Sequence, residues 1–364
     1  MSVVITGLGM ASSLGDVTRA AAAMRAGLSR PCPLSFQQVL DEGAVAEGLS
    51  GHPVRHLTDG YYFLGRWCRL AHAALRDLER YSPAIALTDT AAWRDTVLII
   101  VVGDSLEERY MVRGSVGDDD LQSRYVSRLT TLLGWPVPKE QVRLVRSGRC
   151  GGAEALQLAS SGIGQREFQR AIIVVADSLV ESTSLEWLAR RGELKLQGYP
   201  VGITAGEAGA TLMLESAASA RQRGARVDAV LESVQLERTA RDEAKKRGAL
   251  GRALSAVVDR ALRAAGAALP FDGDIFCDLN GMEPCAFDFG MMLATLGHER
   301  VRPDVQSHTP CAFLGDAGAA TGVVSLCMAV RALVRGYATG QRVLTTCRDG
   351  DGIVGAVLLG SARN

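Results

Sequence analysis

Two uninterrupted runs of aliphatic residues constrain the fold of this chain most strongly. Thr96–Val102 reads TVLIIVV and Ala171–Val175 reads AIIVV, and such runs are typical of strands that are buried on both faces. Ala153–Ser160 is rich in small residues that favour a helix, and Leu254–Ala265 has apolar residues at helical spacing. Strands that alternate with helices predict an α/β protein whose sheets are covered on both faces.

A similar order of elements occurs twice along the chain, which predicts two similar α/β halves, residues 1–222 and 223–364. The join is placed in the polar stretch 220–226. The predicted strands are Val3–Thr6, Thr96–Val102, Ala171–Val175, Ala210–Leu214, Val227–Val234, Asp274–Cys277, Arg342–Thr346 and Ile353–Leu359. Asp16 is predicted to cap a helix that runs to Met24, and the other predicted helices are Ala153–Ser160, Leu254–Ala265 and Gly318–Val334. Residues 29–92 show no clear pattern and are predicted to carry specialised surface, whereas 238–247 is predicted to be a solvated helix or loop.

The charge balance excludes some classes of partner. Lys and Arg together number 40, as do Asp and Glu, so the formal net charge is zero. Such a chain has no bulk electrostatic attraction for nucleic acid or for an anionic membrane. The opening MSVVITGLGM has neither a basic stretch nor a long apolar run, so we expect no secretory signal, no membrane span and a cytoplasmic location. The eight cysteines form no CxxC pair, which fits reduced thiols.

Neither a metal nor a nucleotide cofactor is predicted. Five potential metal ligands lie in one part of the sequence, but their spacings match no common zinc pattern; they are Cys277, Cys285, His298, His308 and Cys311. The opening Gly7-x-Gly9, read as a turn after the first strand, lacks the third small residue of a dinucleotide fingerprint. Ser12 stands in that place.

Four segments of the chain carry a resemblance to a known family. They are VVITGLGMASSLG (3–15), GITAGEAGATLMLESAASARQRGAR (202–226), ALRAAGAALPFDGDIFCDLNG (261–281) and CAFLGDAGAATGVVSLCMAVRALVRG (311–336). In this order and at these distances they resemble β-ketoacyl synthases of the thiolase fold. The resemblance implies an α/β, thiolase-like fold with two similar α/β halves packed as a layered αβαβα structure.

The resemblance also implies positions for the catalytic groups of the family, which are one cysteine and two histidines. Cys150 stands where the acyl-accepting nucleophile is expected, and Arg146 and Arg149 precede it, where they would lower the pKa of its thiol if they point inward. The first histidine position falls on Asn280. Asparagine can donate a hydrogen bond but cannot act as a general base. The second falls on Ala312, which offers neither donor nor acceptor.

Two further features bear on the site that the resemblance implies. His308 is the remaining candidate base, four residues before Ala312, whereas His52, His56 and His72 are expected to lie far from these loops. The glycine-rich loop that shapes the family's acyl pocket corresponds to Asp349–Gly355, so Gly350 and Gly352 are the predicted substrate-binding turn. Asp349 and Asp351 replace aromatic residues there, and carboxylates are costly beside an apolar acyl chain.

Three functions follow from the resemblance. The first is a noncatalytic protein that binds another protein, as an inactive partner subunit or as an adaptor or chaperone for a bacterial type VI secretion effector. The second is an acyltransferase that accepts an acyl group on Cys150 from acyl-coenzyme A or an acyl carrier protein. The third is a condensing ketoacyl synthase whose histidines lie elsewhere. The resemblance also implies a dimer, expected to be a homodimer, although an inactive partner subunit would instead pair with a different chain.

Overall fold

The computed structural model describes residues 2–40, 46–83, 85–111, 116–196 and 198–362, and it is a mixed α/β structure. The strands are β1 Val3–Ser12, β2 Cys32–Leu40, β3 Ala46–Gly51, β4 Thr96–Val102, β5 Val142–Arg146, β6 Arg170–Ser178, β7 Glu207–Ser216, β8 Ala229–Arg238, β9 Asp274–Cys277, β10 Ser307–His308, β11 Arg342–Arg348 and β12 Ile353–Ser361. The α-helices are α1 Val17–Arg25, α2 Leu64–Tyr81, α3 Leu106–Tyr110, α4 Asp118–Asp120, α5 Ser127–Leu133, α6 Gly151–Gln165, α7 Ser182–Arg190, α8 Ala217–Gln222, α9 Arg241–Ala244, α10 Ala249–Ala264, α11 Glu283–Arg300, α12 Cys311–Leu314 and α13 Ala320–Arg335. A π-helical turn, Leu121–Val126, joins α4 to α5.

Ten strands form one continuous sheet in the order β10-β9-β11-β12-β8-β1-β7-β6-β4-β5, while β2 and β3 form a separate hairpin. Strands β5, β4 and β6 are parallel, and β7 and β1 follow antiparallel. The other five repeat this pattern, because β10, β9 and β11 are parallel and β12 and β8 are antiparallel. The two sets meet where Val3–Ile5 pairs with Ala229–Leu231. The predicted boundary at residues 222 and 223 falls between β7 and β8, and the division into two domains stays a prediction.

Two buried helices, α6 and α13, lie between the two sets of five strands and share one apolar core with both. Every residue of α13 from Ala320 to Leu333 is buried. Because side chains alternate along a strand, Val97, Ile99 and Val101 of β4 face this central core, whereas the intervening residues face α2 and α5. Helices α10 and α11 cover the outer face of the second set. The layers are therefore α, β, α, β, α.

The aliphatic strands and all four predicted helices are present. Thr96–Val102 and Asp274–Cys277 have the predicted bounds. The Asp16 carboxylate caps α1 as predicted, since its Oδ1 accepts a hydrogen bond from Arg19 N at 2.9 Å. The polar segment after β8 contains the short helix α9, whose residues are largely exposed.

The predicted turn at Gly7-Leu8-Gly9 is wrong, because β1 continues through it to Ser12. Helix α2 crosses the sheet at this point. A Cβ at Gly9 would overlap the carbonyl oxygen of Ala74, and a Cβ at Gly209 of β7 would overlap that of Leu70. The two glycines therefore allow the helix backbone to lie close to the sheet, and they form no nucleotide-binding turn.

Residues 29–92 contain more regular structure than the sequence predicted. They include the β2–β3 hairpin and the 18-residue helix α2. The buried residues of α2 follow a helical period that the sequence already contains; they are Trp67, Leu70, Ala71, Ala74, Leu75 and Leu78. Among the described residues, no helix is long and apolar enough to span a bilayer.

Candidate active site

Cys150 lies at the start of the buried central helix α6, after a 3-10 turn formed by Gly148–Cys150. Its side chain is fully buried, and its Sγ lies 3.4 Å from the carbonyl oxygen of Ile353, which accepts a hydrogen bond from the thiol. A Cβ at Gly151 would overlap Val101 of β4, so the first turn of α6 is packed directly against the sheet. The sequence-predicted nucleophile is therefore at a helix amino terminus, but within a packed core.

The environment of Cys150 disfavours the ionised, thiolate form of its side chain. Burial raises the pKa of the thiol well above its ordinary value, and Cys347, Asp349 and Asp278 raise it further. A helix amino terminus favours a thiolate, but here burial and neighbouring acids outweigh that effect. The thiol is therefore protonated at neutral pH.

The two arginines before Cys150 are engaged by other groups, so the condition for lowering the pKa of its thiol is not met. Arg146 NH1 donates to the carbonyl oxygen of Val116 at 2.8 Å, and its guanidinium also lies 3.5 Å from Glu107. Arg149 pairs with the buried carboxylate of Asp316. Although burial lowers the pKa of Arg149, Asp316 raises it well above the usual value, so the guanidinium is charged.

Arg149, Asp316 and Asn280 form a connected polar group, which we call the Arg–Asp–Asn network. Asp316 Oδ2 accepts from Arg149 and, at 2.8 Å, from Asn280 Nδ2. Its other oxygen accepts from Gly318 N at 2.9 Å and from Thr321 Oγ1 at 3.2 Å. Because both oxygens already accept hydrogen bonds and the side chain is buried, the carboxylate is held by structural partners.

Ala312 does not belong to this network. It is exposed on α12, whereas Asp316, four residues later, contacts Asn280. The sequence analysis therefore missed the residue that lies opposite Asn280. A usable signal was present, since Asp316 stands in a Gly315-Asp316 pair directly before the run of small residues that leads into α13.

A second ion pair joins Arg348, at the end of β11, to Asp288 of α11. Asp278 Oδ2 accepts from Arg348 N at 2.8 Å, and Arg348 Nε donates to Asp288 Oδ2 at 2.7 Å. Burial raises the pKa of Asp278 to about 6, although the Arg348 amide and the charges of Arg149 and Arg348 act in the opposite direction. Arg348, at the carboxyl end of β11, thus contacts both Asp278, which follows β9, and Asp288.

The predicted glycine turn is formed. Gly352 has φ +101, and a Cβ there would overlap the carbonyl oxygen of Thr239, which explains the need for glycine. Gly350 is exposed with open space around it. Asp349 is buried and turns inward, where its Oδ2 accepts from Arg149 N at 3.1 Å. The Asp349 carboxylate therefore accepts the hydrogen bond of the backbone N–H directly before Cys150.

Three carboxylates gather at this turn, those of Asp104, Asp349 and Asp351. Burial, followed by the charge of Asp349, raises the pKa of Asp104 to about 6. The site as described is thus acidic where the resemblance implies an apolar acyl pocket.

The structure does not bring His308 to Cys150. The imidazole stacks on Phe276, with 4.5 Å between ring centroids, and its Nε2 lies 3.2 Å from Asp274 Oδ2. Asp274 begins β9, whereas Asn280 follows the other end of this strand. The imidazole of His308 is therefore held by Asp274 at the start of β9.

His52 lies closer to the site than its sequence position suggested. Its backbone N donates to Ala205 O at 2.8 Å, and a Cβ built at Gly315 would lie 2.9 Å from His52 Cδ2. The side chain is buried, its Nδ1 has no hydrogen-bond partner, and burial lowers its pKa to about 4. The expectation that His52 lies far from the loops was wrong, because the chain after β3 returns to pair beside Gly206.

The chain is similar in fold to several solved ketosynthases. A type II polyketide synthase ketosynthase in complex with its acyl-carrier protein has a TM-score of 0.75 at 14% identity, over 99% of each chain. A β-ketoacyl synthase from Burkholderia phymatum has a TM-score of 0.73 at 13% identity over all of both chains. The ishigamide ketosynthase/chain length factor has a TM-score of 0.71 at 18% identity over 99% of each. No protein-family model and no curated protein sequence matches the chain.

These comparisons define the class of protein by its fold. The chain has the thiolase-like fold of β-ketoacyl synthases, as the sequence resemblance implied. Its described site combines Cys150 with Asn280 and Asp316, and neither of these partners is a histidine.

Proposed function

We propose that this ketosynthase-fold protein does not carry out decarboxylative condensation and acts by binding another protein. The observation that carries the proposal is the buried Arg–Asp–Asn network beside the fully buried Cys150, whose burial raises the pKa of the thiol. Acyl transfer to a thiol needs a thiolate and a general base in reach. Here the carboxylate of Asp316 already accepts from a guanidinium, an amide, a backbone N–H and a hydroxyl.

The experiment that tests the loss of condensation measures release of carbon dioxide from malonyl-coenzyme A and from a malonyl carrier protein. Wild type and Cys150→Ala are compared after circular dichroism shows that both are folded. The expected result is the same background rate for the two proteins. A Cys150-dependent release of carbon dioxide would overturn the proposal.

Exposed apolar side chains near the network support a binding role. Tyr199 is 58% exposed and Val201 is 59% exposed, although both are large. Gly202, the next residue, donates from its N to the carbonyl oxygen of Gly281 at 3.2 Å, directly beside Asn280. Exposed apolar groups that cluster on one face are typical of protein-binding surfaces, and tyrosine is enriched there.

The partner classes implied by the resemblance provide the probes for this surface. They are an acyl carrier protein, a second thiolase-fold subunit and a type VI secretion effector. Tyr199→Ser with Val201→Ser is expected to weaken binding of the true partner in calorimetric titration. Leu132→Ser removes a similarly exposed apolar side chain, 52% exposed on α5, and is the matched control. Equal affinities for the two variants would contradict this placement of the surface.

A homodimer is part of the proposal, and light scattering after size-exclusion chromatography tests it. The expected mass is twice the 38.6 kDa of the chain. A measured mass of one chain at micromolar protein concentration would contradict the proposed homodimer.

One observation favours an alternative function, acyl transfer or ketoacyl synthesis through Cys150. The thiol stands at the amino terminus of a 15-residue helix, as an acyl-accepting nucleophile would. One similar fold was solved as a ketosynthase in complex with its acyl-carrier protein. A covalent acyl adduct on Cys150 distinguishes this alternative from the noncatalytic role.

A further inference from the structure

A cavity of about 480 Å³ lies between the carboxyl-terminal ends of α1 and α13. It is separate from the Cys150 region. The amino-terminal part of α13 contacts Arg149, because a Cβ at Gly322 would overlap the carbonyl oxygen of Arg149. Since α13 has 16 residues, it is about 24 Å long, and the cavity lies at its far end. Small residues of α1 provide the room, with Ala21, Ala22 and Ala26 on the wall.

Arg331 is the most buried cation of the cavity, with 7% of its surface exposed. Its NH1 donates to Tyr81 Oη at 3.2 Å, while its Nε is buried without a hydrogen-bond partner. A buried guanidinium normally pairs with an acid, because an unpaired buried charge is costly. The nearby carboxylate of Asp228 is already engaged by Arg226 Nε at 2.7 Å.

Two more arginines line the same cavity, Arg25 from α1 and Arg335 from α13, and both are exposed. The Arg25 guanidinium lies 4.8 Å from the centre of the Tyr337 ring. Among the residues that the structure describes, none of the three cavity arginines has a carboxylate partner within ion-pair distance. Their combined charge acts on Tyr337: burial raises the pKa of this phenol, while Arg331, Arg25 and Arg335 lower it.

Helix ends explain only part of this arrangement. A basic residue in the last turn of a helix complements the helix dipole, and that accounts for Arg25 and Arg335 taken singly. It does not account for the buried Arg331, nor for the convergence of all three on one concave space. An anion bound between like charges would offset their mutual repulsion.

We propose that the cavity formed by Arg25, Arg331, Arg335 and Tyr337 binds the phosphate group of a small phosphorylated molecule. Guanidinium groups recognise phosphate through paired, charge-assisted hydrogen bonds. The volume lies within the range of small-molecule sites and exceeds the needs of phosphate alone. The remaining space is bounded by alanines and by the Tyr337 ring, which suits a compact organic group.

The test is calorimetric titration of the full chain with inorganic phosphate and with glycerol 3-phosphate, at constant ionic strength in chloride. Saturable binding of both anions is expected, and none of glycerol. Arg25→Gln and Arg335→Gln should each weaken binding about tenfold, as loss of one charge-assisted hydrogen bond predicts. These two residues are exposed, so folding is expected to persist in both variants.

Arg221→Gln is the matched control, because Arg221 is an exposed arginine in the last turn of α8, outside the cavity. Its affinity should equal that of wild type. Arg331→Lys keeps the buried charge but loses the paired geometry of the guanidinium, and it should also weaken binding. Absence of saturable binding, or binding that Arg25→Gln and Arg335→Gln leave unchanged, would overturn the proposal.

Discussion

Asn280 Nδ2 lies 2.8 Å from Asp316 Oδ2, and the same carboxylate oxygen accepts from Arg149. The residue directly before the candidate nucleophile is thereby tied to the two loops that follow β9 and β10. The contact between Arg149 and Asp316 joins residues that are 167 positions apart in sequence. The ion pair between Arg149 and Asp316 therefore has a structural role at the candidate site.

Breaking this ion pair is expected to destabilise the protein. Asp316→Asn leaves the Arg149 charge buried without a carboxylate, which should cost about 3 kcal/mol or more in the free energy of unfolding. Arg149→Met combined with Asp316→Leu removes both charges and should cost less than the sum of the single changes. Urea denaturation compares wild type, Asp316→Asn, the single changes Arg149→Met and Asp316→Leu, and the double change. Additive losses would show that the two side chains are not coupled.

His52 should make folding sensitive to mild acid. Burial lowers its pKa to about 4, below the value of 6.5 expected when unfolded. Between these values the unfolded chain binds more protons, so stability is present above pH 6.5 and is lost as the pH falls to about 4, by on the order of 3 kcal/mol. His52→Gln should remove this part of the slope, measured as urea unfolding against pH.

His298→Gln is the control for that slope, because His298 is exposed at the end of α11. It should leave the pH dependence as in wild type. Parallel curves for His52→Gln and wild type would contradict the burial of a neutral His52.

The thiols should differ in their reaction with iodoacetamide. Cys150 is fully buried with a raised pKa, whereas Cys32 is partly exposed. In the native protein at pH 8, peptide mass spectrometry should find Cys32 modified and Cys150 unmodified. In urea both should react. Rapid native modification of Cys150 would show that the site opens to solvent.

Gly9→Ala should destabilise the protein by about 1–3 kcal/mol, because the added methyl group overlaps the backbone of α2. Gly164→Ala is a matched change in the exposed part of α6, with open space around it, and should be neutral or stabilising by up to about 1 kcal/mol. Thermal unfolding compares the two variants. Equal melting temperatures would argue against close packing of α2 on β1.

The parts of the fold that depend on local pattern could be predicted from the sequence. The strand Thr96–Val102 has the predicted bounds because its aliphatic run requires burial on both faces. The role of Gly9 could not be predicted, since its cause is a contact with Ala74, far along the chain. Local sequence suggested a turn there.

The candidate site was predicted less well for the same physical reason. Cys150 and Asn280 could be named as candidates because each stands beside a recognisable helix or strand, and their roles stay predictions. The contact between Asp316 and Asn280 was not predicted, since only the folded loop shows which residue faces Asn280. His52 was set aside by its sequence distance, although pairing beside Gly206 returns it to the site.

The most direct test of the central claim is intact-protein mass spectrometry after incubation with acyl-coenzyme A and acyl carrier protein thioesters of several chain lengths. Cys150→Ala is the control, and circular dichroism establishes that both proteins are folded. The structure predicts no acyl adduct on either protein. Cys150 is buried, the pKa of its thiol is raised, and the neighbouring Arg–Asp–Asn network offers no general base. An adduct that forms on wild type and is lost in Cys150→Ala would contradict the noncatalytic account and establish an acyl-accepting enzyme.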